Sequence, residues 1–286
     1  MEYENRPIPE GINVSETHPL VDFASLLAGV ALLFAVIFGT VYGAAGLLLP
    51  HVPFEFEEVL VESFDEDGLF NEPLPEDQQR AEDALQALAD ELLAGHELPE
   101  GMVIRVHYSP SQDKNAFATL AGNIVINQGL LDSVSSENAL AMVLAHEIGH
   151  IVHRDPIMAT GRVAVTITGL ALISGFSQSS VADQVFGLSA DGLLLSFSRD
   201  QEREADDYAL ELLRRHYGHL GGADEFFRHV LNDDELRNSE WLDFFSTHPG
   251  LEERIENVEE ARVAADGVPV ALPDVLAELG RDREAE

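Results

Sequence analysis

The stretch Leu144–Asp155 reads "LAHEIGHIVHRD", with His146, Glu147, His150 and His153 set into an otherwise apolar segment. Apolar residues lead into it from about Ser136. Glu137 falls in the first turn of the helix they predict, where a negative charge is favoured. That helix runs through the motif and stops before Pro156. Positions 146 and 150 then lie one turn apart on one face. Two imidazoles so placed can share a zinc ion, each at about 2.0–2.1 Å. Glu147 projects about 100° round from His146. It can reach a water on the ion without displacing it, which is the H-E-x-x-H arrangement with glutamate as general base. Zinc lowers the pKa of such a water toward about 7, and the glutamate takes its proton as it attacks a carbonyl. A chance match on a buried helix explains the apolar positions. It does not explain the polar ones, since buried polar groups without partners are costly. Gly149 costs the helix about 1 kcal/mol relative to alanine. It therefore marks a close approach of substrate or of another helix.

His153 shares the face but stands two turns from His146, too far for one tetrahedral ion. It reads as a neighbour of the site or a cation at the helix C-terminus. A longer metzincin pattern needs glycine at 153 and histidine at 156, where the chain has His153 and Pro156.

Catalytic zinc keeps three protein ligands and one open position. The segment Leu193–His216, "LLLSFSRDQEREADDYALELLRRH", offers five carboxylates between Asp200 and Asp207. At 100° per residue, Asp200, Glu204, Asp207 and Glu211 fall on one solvated side. Glu202 falls opposite, with Leu195, Ala205, Asp206, Ala209 and Leu213. A carboxylate on a buried face needs a partner. Zinc serves for Glu202, an arginine being the alternative. Asp206, one turn on, can accept a hydrogen bond from a ligand histidine and fix its tautomer.

"HEIGH" followed at a distance by "SRDQEREAD" resembles the membrane zinc metallopeptidases that include HtpX and the CAAX prenyl endopeptidases. Their second motif, E-x-x-A-D, is here Glu202-Arg203-Glu204-Ala205-Asp206. Upstream, "NAFATLAGNIVINQGLL" matches the family's N-A-F-A strand. Downstream, "STHPGLEERI" matches a T-H-P-x-x-x-x-R-I element. The likeness runs from about Ala81 to Asn257. It implies His146, His150 and Glu202 as ligands of one zinc per chain, and Glu147 as base. It implies His248 and Arg254 beside them, assisting the tetrahedral intermediate. The strand Asn115, Ala116, Phe117 and Ala118 would bind extended substrate by adding a backbone-paired strand. The known members have several membrane spans, and this sequence shows one clear span.

That span is the uncharged run Phe23–Leu49, "FASLLAGVALLFAVIFGTVYGAAGLLL", long enough for a bilayer core of about 30 Å. A cleaved signal peptide would want a basic leader and a shorter apolar run; the charged residues of 1–22 are mostly acidic. Arg6 is the only cation before the span and Arg80 the next after it. This bias puts the N-terminus inside and the catalytic part on the extracytoplasmic side of a plasma or inner membrane. The domain reading is a tail over 1–22, an anchor over 23–49, an acidic linker over 50–75 and a zinc metallopeptidase domain over 76–286. Residues 163–182 read as a packed helical hairpin that could graze the membrane.

The fold class expected is mainly α with a small antiparallel hairpin or sheet, a gluzincin-like domain behind one transmembrane helix. The net charge of -36, with Lys114 the sole lysine, repels nucleic acid and anionic lipid. The absence of cysteine removes disulfides and thiolate metal sites. The partners expected are polypeptide substrates and, through residues 23–49, the bilayer; no oligomeric state follows. The function expected is membrane-anchored, zinc-dependent endopeptidase activity in membrane or envelope protein quality control. A non-catalytic chaperone or scaffold on the same fold is the alternative, but it predicts a damaged motif, and this one is intact.

Overall fold

The structure is a computed structural model. It describes residues 18–64, 73–174, 185, 197–232, 248, 250–262 and 267–279. The chain divides into two compact units, residues 1–44 and 45–286.

The first unit holds most of helix α1, Pro19–Leu48, which buries no residue. Its exposed side chains include Phe23, Leu26, Leu32 and Val36. At 1.5 Å per residue its 30 residues reach about 45 Å. Among the described residues it is the one helix long and apolar enough to cross a membrane.

The second unit begins at Ala45 and takes in the stretch expected to be a linker. Residues Leu49–His51 form a single 3-10 turn, and α2 follows over Phe54–Phe64. Phe54 and Glu57 are buried, and Glu58, Leu60 and Val61 are half-buried. That spacing is helical, so part of the acidic segment packs as a helix of this unit. Its acidity hides the stripe, because four of the eleven residues of "FEFEEVLVESF" are glutamate.

Helix α3, Glu76–Leu92, buries Ala81, Leu85, Leu88, Ala89 and Leu92. Its polar residues cover a sheet edge. Glu82 accepts from the Tyr108 N–H and Gln86 from the Val106 N–H, on β1, Arg105–Ser109. An unpaired edge invites foreign strands, and this one is closed. Strands β2, Ala116–Ala118, and β3, Asn123–Asn127, form the expected antiparallel pair. The sheet order is β1-β3-β2, and β1 lies parallel to β3. The sheet is thus mixed: the expected antiparallel hairpin is present, and β1 joins it in parallel. Alternation in "MVIRVHYS" identifies a strand, but a period of two carries no information about its neighbour. The β2–β3 turn, Leu120–Gly122, has Ala121 at φ 58° and Gly122 at φ 73°. A Cβ at 122 would lie 1.8 Å from the Val103 carbonyl oxygen, so only glycine fits.

After the short helix α4, Gln128–Leu131, comes α5, Glu137–Val152. The Ser136 hydroxyl caps α5 by accepting from the Ala139 N–H at 3.2 Å; such a cap is worth about 1 kcal/mol. Nearly the whole of α5 is buried. Helix α6, Asp155–Ser174, follows as one helix; the rest of the hairpin expected over 163–182 lies outside the described residues. Helix α5 lies against α7, Arg199–Tyr217. The two backbones meet at Gly149, where a Cβ would stand 3.0 Å from Ala205 Cα and carbonyl oxygen. The unfavourable glycine is thus explained by a second helix. Helices α8 (Glu225–Asn232), α9 (Leu251–Ala261) and α10 (Asp274–Glu278) complete the described part of the unit.

Candidate metal centre

The α5–α7 contact brings the two halves of the site together. Along α7, Glu202, Ala205, Asp206, Ala209 and Leu213 are buried, while Asp200, Glu204, Asp207 and Glu211 are exposed. Burial and the helical wheel agree at each of these positions; Leu195, expected on the buried face, lies outside the described residues. A capping box fixes the start of α7, with Ser198 accepting from the Gln201 N–H and the Gln201 side chain accepting from the Ser198 N–H.

His146 and His150 from α5, Glu202 from α7 and His248, which precedes α9, converge with one donor atom each inside 4.8 Å. All four are buried. Nε2 of His150 lies 3.0 Å from Nε2 of His146. His248 Nδ1 is 3.3 Å from His146 Nε2 and 3.1 Å from Glu202 Oε1. Glu202 stands 3.5 Å from His146 and 3.4 Å from His150.

The outer nitrogens are held. His146 Nδ1 is 2.8 Å from Asp206 Oδ1, and His150 Nδ1 is 2.8 Å from Asp155 Oδ2. Both histidines therefore direct Nε2 inward, the orientation that carboxylate partners impose on metal-ligating imidazoles. Arg254 donates through Nε and Nη2 to the two oxygens of Asp206, at 2.9 and 2.8 Å. Its Nη1 stands 3.1 Å from Glu202 Oε2. The guanidinium lies over the Phe227 ring at 4.4 Å. Phe197 stacks on the cluster, 3.9 Å from the His150 ring.

The electrostatics follow from burial among charges. Burial alone would depress the basicity of His150, but Asp155 and then Glu202 outweigh it and push its pKa up to about 9. Burial would raise Glu202, yet His248, His146 and His150 hold it far below the usual carboxylate range. Asp206 is likewise lowered: its burial acts upward, and Arg254 and His146 overcome it. Burial lowers His248 in spite of Glu202 and Glu147. The buried carboxylates of Glu202, Asp206 and Asp155 outnumber the buried guanidinium of Arg254, and a cation at the cluster, a proton on His150 or a metal ion in its place, relieves the excess.

The donor set fits a zinc ion. Ligands about 2.0–2.1 Å from a tetrahedral ion stand roughly 3.3 Å from one another, and five of the six pairings among the four side chains here measure 3.0–3.5 Å. Three nitrogens and one carboxylate, without sulfur, match the borderline character of Zn²⁺.

Glu147, fully buried, points one oxygen at the sheet and one at the cluster. Its Oε2 accepts from the Ala118 N–H at 2.8 Å. Its Oε1 has no hydrogen-bond partner among the described residues and lies 3.6 Å from His248 Nε2. Asn115 and Thr119 bond to β3, through Asn127 N–H to Asn115 oxygen and Thr119 N–H to Asn123 oxygen. By the alternation of an antiparallel ladder, Ala116 and Ala118 turn their backbone groups to the opposite edge. That is the edge Glu147 meets. His153 caps the end of α5, with its ring edge-on to Tyr208 at 5.9 Å, and lies outside the cluster.

Three features of the site are missed by reasoning from sequence. Asp155 is silent in the motif spacing, yet it holds His150 and receives a hydrogen bond from Gln201 Nε2. Its signal is an acid just before Pro156, which marks a new helix starting beside the old one's end. Phe197 carries no signal. His248 is expected nearby, but its nitrogen among the donors is a tertiary fact.

The sequence model described as Peptidase family M48 matches residues 75–262. The chain is 32% identical over 163 residues to the metalloprotease LoiP of Escherichia coli, covering 55% of this chain and 62% of that protein. It is 31% identical over 157 residues to the mitochondrial metalloendopeptidase OMA1 of Schizosaccharomyces pombe, covering 54% and 45%. It is 26% identical over 274 residues to the protease HtpX of Alcanivorax borkumensis, covering 82% and 88%. The chain therefore spans about half to three fifths of the first two relatives.

Proposed function

The chain belongs to peptidase family M48, and from that premise we propose that it is a membrane-anchored, zinc-dependent endopeptidase of membrane or envelope protein quality control. One observation carries the reading. A buried glutamate with one free oxygen faces a buried cluster of histidines and a carboxylate, and its other oxygen is held by a strand edge.

His146, His150 and Glu202 would hold zinc. The ion, when bound, supplies Lewis acidity toward water and a peptide carbonyl. Glu147 Oε1 takes the proton from the attacking water. The Ala118 N–H keeps that carboxylate from turning away. Asp206 and Asp155 fix the imidazole tautomers. Arg254 holds Asp206 in place, so its effect on the intermediate passes through its neighbours. The outer edge of β2 offers the backbone groups of Ala116 and the carbonyl of Ala118 to an extended peptide, whose carbonyl then lies within reach of Glu147.

His248 supplies a neutral imidazole opposite Glu147 that donates to the developing oxyanion. His248→Asn is expected to retain zinc and to lower kcat by about 10²-fold, the usual effect of losing one such donor. Elemental analysis and casein hydrolysis on the same preparation check it. Loss of zinc from His248→Asn would make His248 a ligand instead.

α1 anchors the chain, and the catalytic part lies on the extracytoplasmic side because Arg6 precedes the span and no cation closely follows it. In oriented vesicles, protease is expected to digest the N-terminal tail and the catalytic part from opposite sides. Digestion of both from one side would reverse the assignment.

A further inference from the structure

We propose that Glu57, on the helix that follows the apolar segment, is a positioning residue that holds both halves of the metal centre in register. The inference rests on the peptidase reading for its kinetic consequence, and on the metal cluster alone for its consequence on zinc.

Glu57 is buried and divides its two oxygens. Oε2 accepts from the Ala121 N–H at 2.9 Å, and Oε1 pairs with Arg154 Nη1 at 2.7 Å. Among the described residues, Ala121 and Arg154 are the two non-glycine positions with positive φ, 58° and 66°. Residues with a Cβ keep such a conformation only where the surroundings over-determine it. Here α2 does so. The Ala121 carbonyl accepts from Arg105 Nη1 at 2.9 Å, and Arg105 Nη2 pairs with Glu58 at 2.8 Å. The peptide groups of Ala121 are thus held on both sides by consecutive acids of α2. Arg154 is held further by the Val52 carbonyl and lies over the Phe54 ring at 5.4 Å.

Each held residue adjoins a part of the site. Ala121 stands three residues after Ala118, whose N–H orients the base Glu147. Arg154 is the left-handed hinge between α5 and α6, and the next residue is Asp155, which orients His150. One carboxylate therefore pins the strand turn behind the base and the helix junction behind a metal ligand. Burial raises the pKa of Glu57, against the hydrogen bond from Ala121 and the charge of Arg154.

The two roles separate in one variant. Glu57→Gln retains an acceptor for Ala121 but loses the charge that holds Arg154. The test uses the full chain in detergent. Zinc affinity is measured by competition with a chelating dye, and kcat and KM on a casein-derived peptide at saturating zinc. Glu57→Gln should weaken zinc about tenfold while kcat stays within about threefold of the parent. Glu57→Ala should weaken zinc by at least as much and also lower kcat about tenfold or more, the range for groups that orient metal ligands. Leu85→Ala, in the core on α3, should lower Tm while leaving both readouts unchanged below the transition. Zinc affinity within twofold of the parent in Glu57→Gln would overturn the inference, as would losses in Glu57→Ala that only follow the unfolded fraction. Because the zinc readout needs no proteolysis, failure of the peptidase reading and failure of this one remain distinguishable.

Discussion

Glu147→Gln is expected to keep about one zinc per chain and to lose peptide hydrolysis by at least about 10²–10⁴-fold, the contribution of a positioned general base. Glutamine has nearly the shape of glutamate, and its amide oxygen can still accept from the Ala118 N–H that Oε2 now occupies at 2.8 Å. It cannot take a proton. The inward Nε2 atoms of His146 and His150 are oriented by Asp206 and Asp155, which the change leaves in place. Metal content and structure should therefore survive while turnover does not. The full chain is the proper material, because α2 packs Phe54 and Glu57 into the unit that carries the metal cluster and a fragment beginning at residue 76 would lack them. Undiminished casein hydrolysis by Glu147→Gln would remove Glu147 from its role.

The second large effect separates carboxylates two residues apart. Glu202→Ala should empty the site and abolish activity, since it removes a ligand and leaves Arg254 Nη1 without the carboxylate it faces at 3.1 Å. Glu204→Ala should keep both zinc and activity. Its side chain is exposed, and such substitutions change stability by less than about 0.5 kcal/mol. Asp206→Ala should fall between, with zinc affinity reduced about 10–100-fold, because it releases His146 Nδ1 without removing a ligand. Metal is measured after dialysis, with activity read on the same samples. If Glu204→Ala is the variant that loses zinc, the assignment of faces along α7 is wrong.

These faces show what is legible in the chain's own pattern. In α7 the apolar and charged positions obey the period of 3.6, so the helical wheel alone separates Glu202 and Asp206 from Glu204 and Asp207. In α5 the spacing of His146 and His150 does the same, and Gly149 signals the approach that Ala205 makes. Local rules also find α1, which needs only length and the lack of charge. They fail where the deciding partner is distant in sequence. The parallel pairing of β1 with β3 depends on how the chain crosses, not on either strand's pattern. Asp155 meets His150 because the chain turns sharply at Arg154. Arg254 reaches Asp206 across 48 residues, and its motif gives proximity without the direction of its hydrogen bonds. Helix α2 is hidden for another reason. Glu57 and Glu58 read as solvated charge until Ala121, Arg154 and Arg105 supply their partners.

The central claim is that α5 and α7 together hold a catalytic zinc. Anomalous diffraction at the zinc edge from crystals of the purified full chain tests it most directly. One peak is expected, bounded by the Nε2 atoms of His146 and His150 and the carboxylate of Glu202, with Glu147 beside it and not bonded to it. Diffraction data from zinc-saturated crystals with no peak among these residues, or with a peak ligated elsewhere, would contradict the account.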